Sequence, residues 1–170
     1  DPDHTIAKLG SVGRPCQYLE LDIWDEHGAS LPADQPGEVV LRGPKVFTGY
    51  WRDPDATAKA FAGGWFHTGD IGVRDTDGFV YIVDRLKDMI VSGGENIASS
   101  EVERAIYEHP AVVEAAVVAR PDDRWGEVPV AFVVTSDEAT TPDELIDHCR
   151  ARLAKFKVPR YVSYIAKLPK

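Results

Sequence analysis

The chain has 170 residues, 44% of them hydrophobic, and a formal net charge of −9, enough to bury one respectable core or two small ones. The acidic balance, with Lys and Arg scattered rather than gathered in runs, argues against a nucleic-acid surface. No apolar stretch approaches the roughly 20 residues that span a bilayer, and the acidic start Asp1-Pro2-Asp3 is unlike a signal peptide, so a cytoplasmic setting is expected.

Residues 18–24 alternate apolar and polar side chains, Asp25-Glu26-His27-Gly28 supplies turn chemistry, and a further strand is predicted over 37–41. Asp53 before Pro54 predicts a capped short helix with proline in its first turn, ended by Gly63-Gly64. Apolar strands are predicted over 79–83 and 89–91, on either side of the charged run Asp84-Arg85-Leu86-Lys87-Asp88. Beyond Lys87 strands alternate with amphipathic helices. Ser99 or Ser100 is expected to cap a helix carrying Val102, Ala105 and Ile106 on one face, and 112–119 and 128–135 read as apolar strands. Thr141 and Pro142 open a helix with Leu145, Ile146, Cys149 and Leu153 at helical spacing, and a strand over 161–165 closes the sheet. The expected fold is α+β, with a β-rich half followed by a sheet flanked by helices and a boundary inside the charged run.

Several residues offer ligand chemistry. Arg85 can fork onto phosphate or ribose oxygens, or form a surface ion pair with Asp84 or Asp88. Gly93 and Gly94, in Ser92-Gly93-Gly94-Glu95-Asn96, allow close approach of backbone to a ligand, or a tight turn. Asp70 ends Gly64-Trp65-Phe66-His67-Thr68-Gly69-Asp70 on a glycine turn, where its carboxylate can accept from two ribose hydroxyls. Cys16 and Cys149 lie far apart without CxxC spacing or clustered histidines, so no metal site is expected and both read as reduced thiols. His67 and His109 lack partners at catalytic spacing and read as structural.

These segments occur in order with Gly37-Glu38-Val39, Gly49-Tyr50-Trp51, His109-Pro110-Ala111-Val112, Arg124-Trp125-Gly126-Glu127-Val128-Pro129 and Lys155-Phe156-Lys157-Val158-Pro159-Arg160. Together they resemble the adenylate-forming superfamily, specifically the AMP-forming acyl-CoA synthetases of the fatty-acid, medium-chain and aryl type. The resemblance runs almost the whole length. It implies a ligase that activates a carboxylic acid, here expected to be a fatty acid, as an acyl-adenylate and transfers it to CoA, releasing AMP and pyrophosphate. ATP or AMP and CoA are the implied cofactors, and Mg2+ is expected with ATP although no ligand for it is identified. The implied division is a β-barrel-like end of an N-terminal domain over 1–84, a hinge over 85–88, and a mobile C-terminal domain over 89–170. The apolar faces of the barrel strands are expected to be exposed or covered by a second copy of the chain.

By the same resemblance, Asp70 holds the nucleotide ribose hydroxyls and Arg85 reaches the ribose and phosphates. Lys87 falls at the hinge, though an ordinary exposed lysine would look the same. Gly93 and Gly94 match the loop that lines the pantetheine tunnel, which Trp125 borders. Phe156 offers a face to the CoA adenine, or packs beneath the helix that ends near Leu153, and Arg160 donates to CoA phosphates. Lys155, Lys157 and Arg160 form the densest basic cluster. One departure is Ala98-Ser99, where the family has tyrosine and proline. The family's phosphate-binding loop does not occur here, and its catalytic lysine is expected beyond Lys170, so no catalytic residue is assigned and the chain alone is expected to be inactive. A carrier-loading adenylation domain, a luciferase-like oxygenase and a non-catalytic interaction module of the same fold are the alternatives.

Overall fold

The computed structural model describes residues 8–137 and 139–169. Asp1-Pro2-Asp3 and Lys170 lie outside the described residues. The chain divides into two compact units, Asp1–Leu86 and Lys87–Lys170, so Arg85 belongs to the first and Lys87 opens the second.

In the first unit, β1 (Glu20–Trp24), β2 (Pro36–Arg42), β3 (Phe66–Arg74) and β4 (Val80–Arg85) form an antiparallel sheet in chain order. Between β2 and β3, Asp53 accepts the Ala56 N–H at 2.9 Å and Pro54 occupies the first turn of α1 (Pro54–Ala60), the start that its capping chemistry dictates. Ile23, Val39 and Val80 make the buried core, with Leu21, Leu31 and Leu41 packed on it. The expected barrel-like unit is instead an open sheet. β1 and β4 are its edges, and no closed barrel forms among the described residues, because closure takes about eight strands of this kind. Leu9, Val12, Tyr18 and Trp51 are exposed.

Strand β3 departs most from the sequence reading, which put Asp70 on a turn. Glycines at 69 and 72 break the alternation that marks a strand, yet the chain stays paired on both sides from Phe66 to Arg74. The strand accommodates them as a bulge. Between the pairs Glu38↔Ile71 and Val40↔His67, residues 68–70 oppose Val39 alone, and Gly69 takes φ 71°.

The second unit is a five-stranded sheet under two helices. β5 (Ile90–Ser92) and β6 (Glu95–Ile97) form a hairpin, followed by α2 (Ser99–Tyr107), β7 (Val112–Asp122), β8 (Gly126–Thr135), α3 (Pro142–Arg150) and β9 (Tyr161–Tyr164). β8 pairs along its length with β7, in parallel with β9, and at its first residue with β5. The core gathers Ile90, Ile97, Val102, Ile106, Val133 and Leu145, the apolar faces that the helical spacing prescribes. α3 opens on a full capping box, with Thr141 Oγ1 accepting the Glu144 N–H and Glu144 Oε2 accepting the Thr141 N–H. α2 does not use the expected serine cap, since its N-cap position falls on Ala98.

β7 is an edge strand, and α2 covers it. The Ala115 N–H donates to Tyr107 Oη at 3.0 Å and the Val117 N–H to Glu103 Oε1 at 2.8 Å, so these edge donors are withheld from other chains. The edge position also explains why β7 runs on through Pro121 instead of stopping near 119. No helix among the described residues is long and apolar enough to cross a membrane.

His148 joins the two helices by donating from Nε2 to the Ala105 carbonyl at 3.0 Å, with the His109 ring edge-on at 5.0 Å. Burial, reinforced by the nearby charge of Arg152 and by His109, holds the His148 pKa below its ordinary 6.5, while the Ala105 carbonyl and Glu108 oppose the shift. A base with a depressed folded-state pKa binds more protons when unfolded. Its contribution is therefore present above about pH 6.5 and is lost as pH falls toward the depressed value. Urea midpoints of the second unit, taken between about pH 7.5 and 5, should fall more steeply for the native chain than for His148→Gln. Equal slopes would contradict this account.

Candidate functional site

The Asp70 carboxylate is aimed by the β3 bulge, which Glu38 holds. Glu38 Oε1 accepts the Gly69 N–H at 3.1 Å and its Oε2 meets His67 Nδ1 at 2.7 Å. The Thr68 hydroxyl donates to the Val39 carbonyl at 2.7 Å and accepts the Asp70 N–H at 3.0 Å. His67 is thus structural, its Nε2 facing the Ala62 carbonyl at 3.2 Å. Arg85 lies opposite Asp70 in the β3–β4 register, and its Nε donates to Asp70 Oδ1 at 3.0 Å. The Arg85 side chain therefore pairs with Asp70 rather than with Asp84, whose Oδ1 accepts only the Arg85 backbone N–H among the contacts of these two residues.

This pair is 59% exposed at Arg85 and 30% at Asp70, so it adds little to stability. Its value is chemical. It presents a carboxylate that accepts from vicinal hydroxyls beside a guanidinium that donates to ribose or phosphate oxygens.

The second unit carries a cleft of about 590 Å³ whose lining includes Gly93, Trp125, Phe156 and Arg160, residues far apart in sequence. Gly93 and Gly94, at φ 61° and 87°, form the two-residue turn between β5 and β6. They are needed for different reasons. A Cβ on Gly93 would stand 2.9 Å from the Trp125 ring, whereas one on Gly94 would meet nothing, and Gly94 is not part of the lining. The Gly93 N–H donates to the Trp125 carbonyl at 2.8 Å. Trp125 itself sits on a turn tied by Asp122 Oδ1, which accepts the Arg124 and Trp125 N–H groups at 3.0 Å each.

Phe156 is carried on a 3₁₀ turn over Lys155–Lys157 and is 43% exposed. Packing beneath the preceding helix is done by Leu153 and Val158 instead, so its alternative structural role falls away. Lys157 is neutralised by Glu101, at 2.8 and 2.6 Å from the two carboxylate oxygens. Arg124, Lys155 and Arg160 line the cleft against the single carboxylate of Glu95, a local positive excess on an acidic chain. Arg124 also stacks on Trp125, with its guanidinium 4.8 Å from the ring centre. Aromatic faces beside cations suit a polyanion that carries a planar base. A hollow of similar size, about 610 Å³, runs along β9 and is lined by Val118, Phe132 and Tyr161, but of the residues picked from sequence it includes Arg160 alone.

Lys87 is exposed in a 3₁₀ turn over Leu86–Asp88. The described residues contain no cluster of three or more metal-ligating side chains. Cys149 is buried in the core, where burial pushes its thiol up to about 11, as expected of an inert thiol. Sequence reasoning missed Glu38 and Glu95 as well as the direct part of Arg124 and Lys155 in the cleft. Arg124 was legible only as part of a motif, because its place depends on the Asp122 turn.

A model for AMP-binding enzymes matches residues 1–51, and one for the C-terminal domain of AMP-binding enzymes matches 101–170. A 2-succinylbenzoate–CoA ligase from Bacillus cereus is 47% identical over 168 residues, covering 99% of this chain and 34% of that protein. Among solved structures, o-succinylbenzoate CoA synthetase from Bacillus subtilis, in complex with its acyl-adenylate intermediate, superposes with a TM-score of 0.91 at 39% identity over 100% of this chain and 35% of the other. The same enzyme is solved with ATP and a magnesium ion. An amide bond synthetase from Marinactinospora thermotolerans matches with a TM-score of 0.86 at 42% identity, over 99% and 35% of the two chains. The chain spans about a third of the length of these relatives, and it belongs to the AMP-binding, adenylate-forming enzymes.

Proposed function

We propose that this chain supplies the ribose clamp and the CoA cleft of an ATP-dependent acid–CoA ligase. The observation that carries the proposal is the cleft itself, which gathers Gly93, Trp125, Phe156 and Arg160 and adds two further cations, Arg124 and Lys155. In the reaction a carboxylate oxygen attacks the α-phosphorus of ATP and pyrophosphate leaves. The CoA sulfur, giving up its proton, then attacks the acyl carbon and AMP leaves. Asp70 accepts from the ribose hydroxyls and Arg85 donates to ribose or phosphate oxygens, roles that fit their exposed, mutually aligned positions. Phe156 and Trp125 present faces to the CoA adenine and pantetheine, and Arg160, Arg124 and Lys155 offset its phosphates.

The relatives act on 2-succinylbenzoate, which corrects the expected fatty acid to an arylcarboxylic acid of that class. Magnesium enters with ATP, as in the complex of the Bacillus subtilis enzyme. The open sheet of the first unit is read as part of a larger barrel, and Lys87 as the position where the backbone turns between the two half-reactions. Its side chain is exposed and lies outside either sheet, so a change of φ and ψ there breaks no strand pairing.

In a full-length ligase containing these residues, Arg160→Ala should raise the KM for CoA about tenfold, roughly 1.4 kcal/mol, and leave that for ATP nearly unchanged. A matched rise in both constants would remove Arg160 from the CoA site. Lys87→Pro should leave acyl-adenylate formation, followed by pyrophosphate exchange, within a few-fold of normal and depress thioester formation by on the order of 100-fold. Equal losses in the two half-reactions would place the turning point elsewhere.

A further inference from the structure

One carboxylate beside the cleft runs against its electrostatic character. Glu127 opens β8 next to Gly126, close to where a polyanion is proposed to bind, so attraction of that ligand does not account for it. Its contact explains its place. β5 and β8 share one register pair, Ser92↔Gly126, and continuing the antiparallel register would set Val91 opposite Glu127. The Val91 N–H donates instead to the Glu127 side chain, to Oε2 at 2.9 Å.

We propose that Glu127 is a positioning residue for the CoA cleft, its carboxylate standing in for a ladder acceptor and fixing the Gly93-Gly94 turn against Trp125. The inference rests on the reading of the cleft as the CoA site. The hairpin meets β8 through two hydrogen bonds on either side of the register pair, Gly93 N–H to the Trp125 carbonyl and Val91 N–H to Glu127. With one of them lost, β5 can pivot on the other. The tolerance is narrow, because Gly93 already lies so near the indole that even a Cβ would not fit. A pivot would lift the turn from Trp125 and open the wall that Ser92 and Gly93 contribute.

Comparing Glu127→Ala with Glu127→Gln tests this. The glutamine amide oxygen can accept the same N–H without the charge. Amide hydrogen exchange at Val91 and Gly93 should quicken about tenfold in Glu127→Ala and stay near the native rate in Glu127→Gln. By calorimetry, CoA binding should weaken about three- to tenfold in the alanine variant and be retained in the glutamine variant. A merely electrostatic Glu127 would make both variants bind CoA more tightly, and that result would overturn the proposal. So would unchanged exchange at Val91 and Gly93 in Glu127→Ala. If the native chain does not bind CoA, the CoA reading fails, while the exchange comparison still decides whether Glu127 holds the turn.

Discussion

The cleft depends on the approach of the Trp125 indole to Gly93. That contact fixes where the β5–β6 turn stands relative to the β7–β8 turn, and it tolerates no side chain on the glycine. Everything else around it serves to hold the two turns at that spacing: Asp122 ties the Trp125 turn from its own chain, and the Gly93 N–H closes on the Trp125 carbonyl. An exposed tryptophan in an acidic protein would otherwise be an aggregation hazard. Here the ring is supported by backbone on one flank and by the Arg124 guanidinium at 4.8 Å.

The first unit solves a different problem with a different device. A carboxylate and a guanidinium on neighbouring strands pair readily, but a regular ladder would aim Asp70 by strand alternation alone. The bulge at residues 68–70 frees its orientation from that alternation, and Glu38 compensates the backbone groups that the bulge unpairs by accepting the Gly69 N–H. His67 and Thr68 complete the support. The residues beside the site are therefore committed to backbone, and Asp70 and Arg85 are left to a ligand.

What the sequence disclosed followed local rules. Pro54 behind Asp53 and Pro142 behind Thr141 mark helix starts that depend on a few neighbouring residues, and both helices begin there. Val102, Ala105 and Ile106 share a buried face because helical periodicity allows nothing else. The failures were non-local. Residues 66–74 do not alternate, so only pairing with β2 and β4 reveals a strand there. Ser99 looked like a cap, yet the helix begins one residue early for that role. Phe156 could not be told from a core aromatic until Leu153 and Val158 were seen to fill the core. The ligand residues were legible through family motifs, whereas their supports, Glu38 and Glu127, act through backbone contacts that no spacing encodes.

The central claim is that each unit carries one binding site, for the nucleotide at Asp70 and Arg85 and for CoA at the cleft. Amide chemical-shift mapping of the isotopically labelled chain, titrated separately with AMP and with CoA, tests it most directly. CoA should shift the amides of Gly93, Trp125 and Phe156 and leave those of Gly69, Asp70 and Arg85 in place, while AMP should do the reverse. CoA shifts confined to the first unit, or none in the cleft at saturating ligand, would contradict the account.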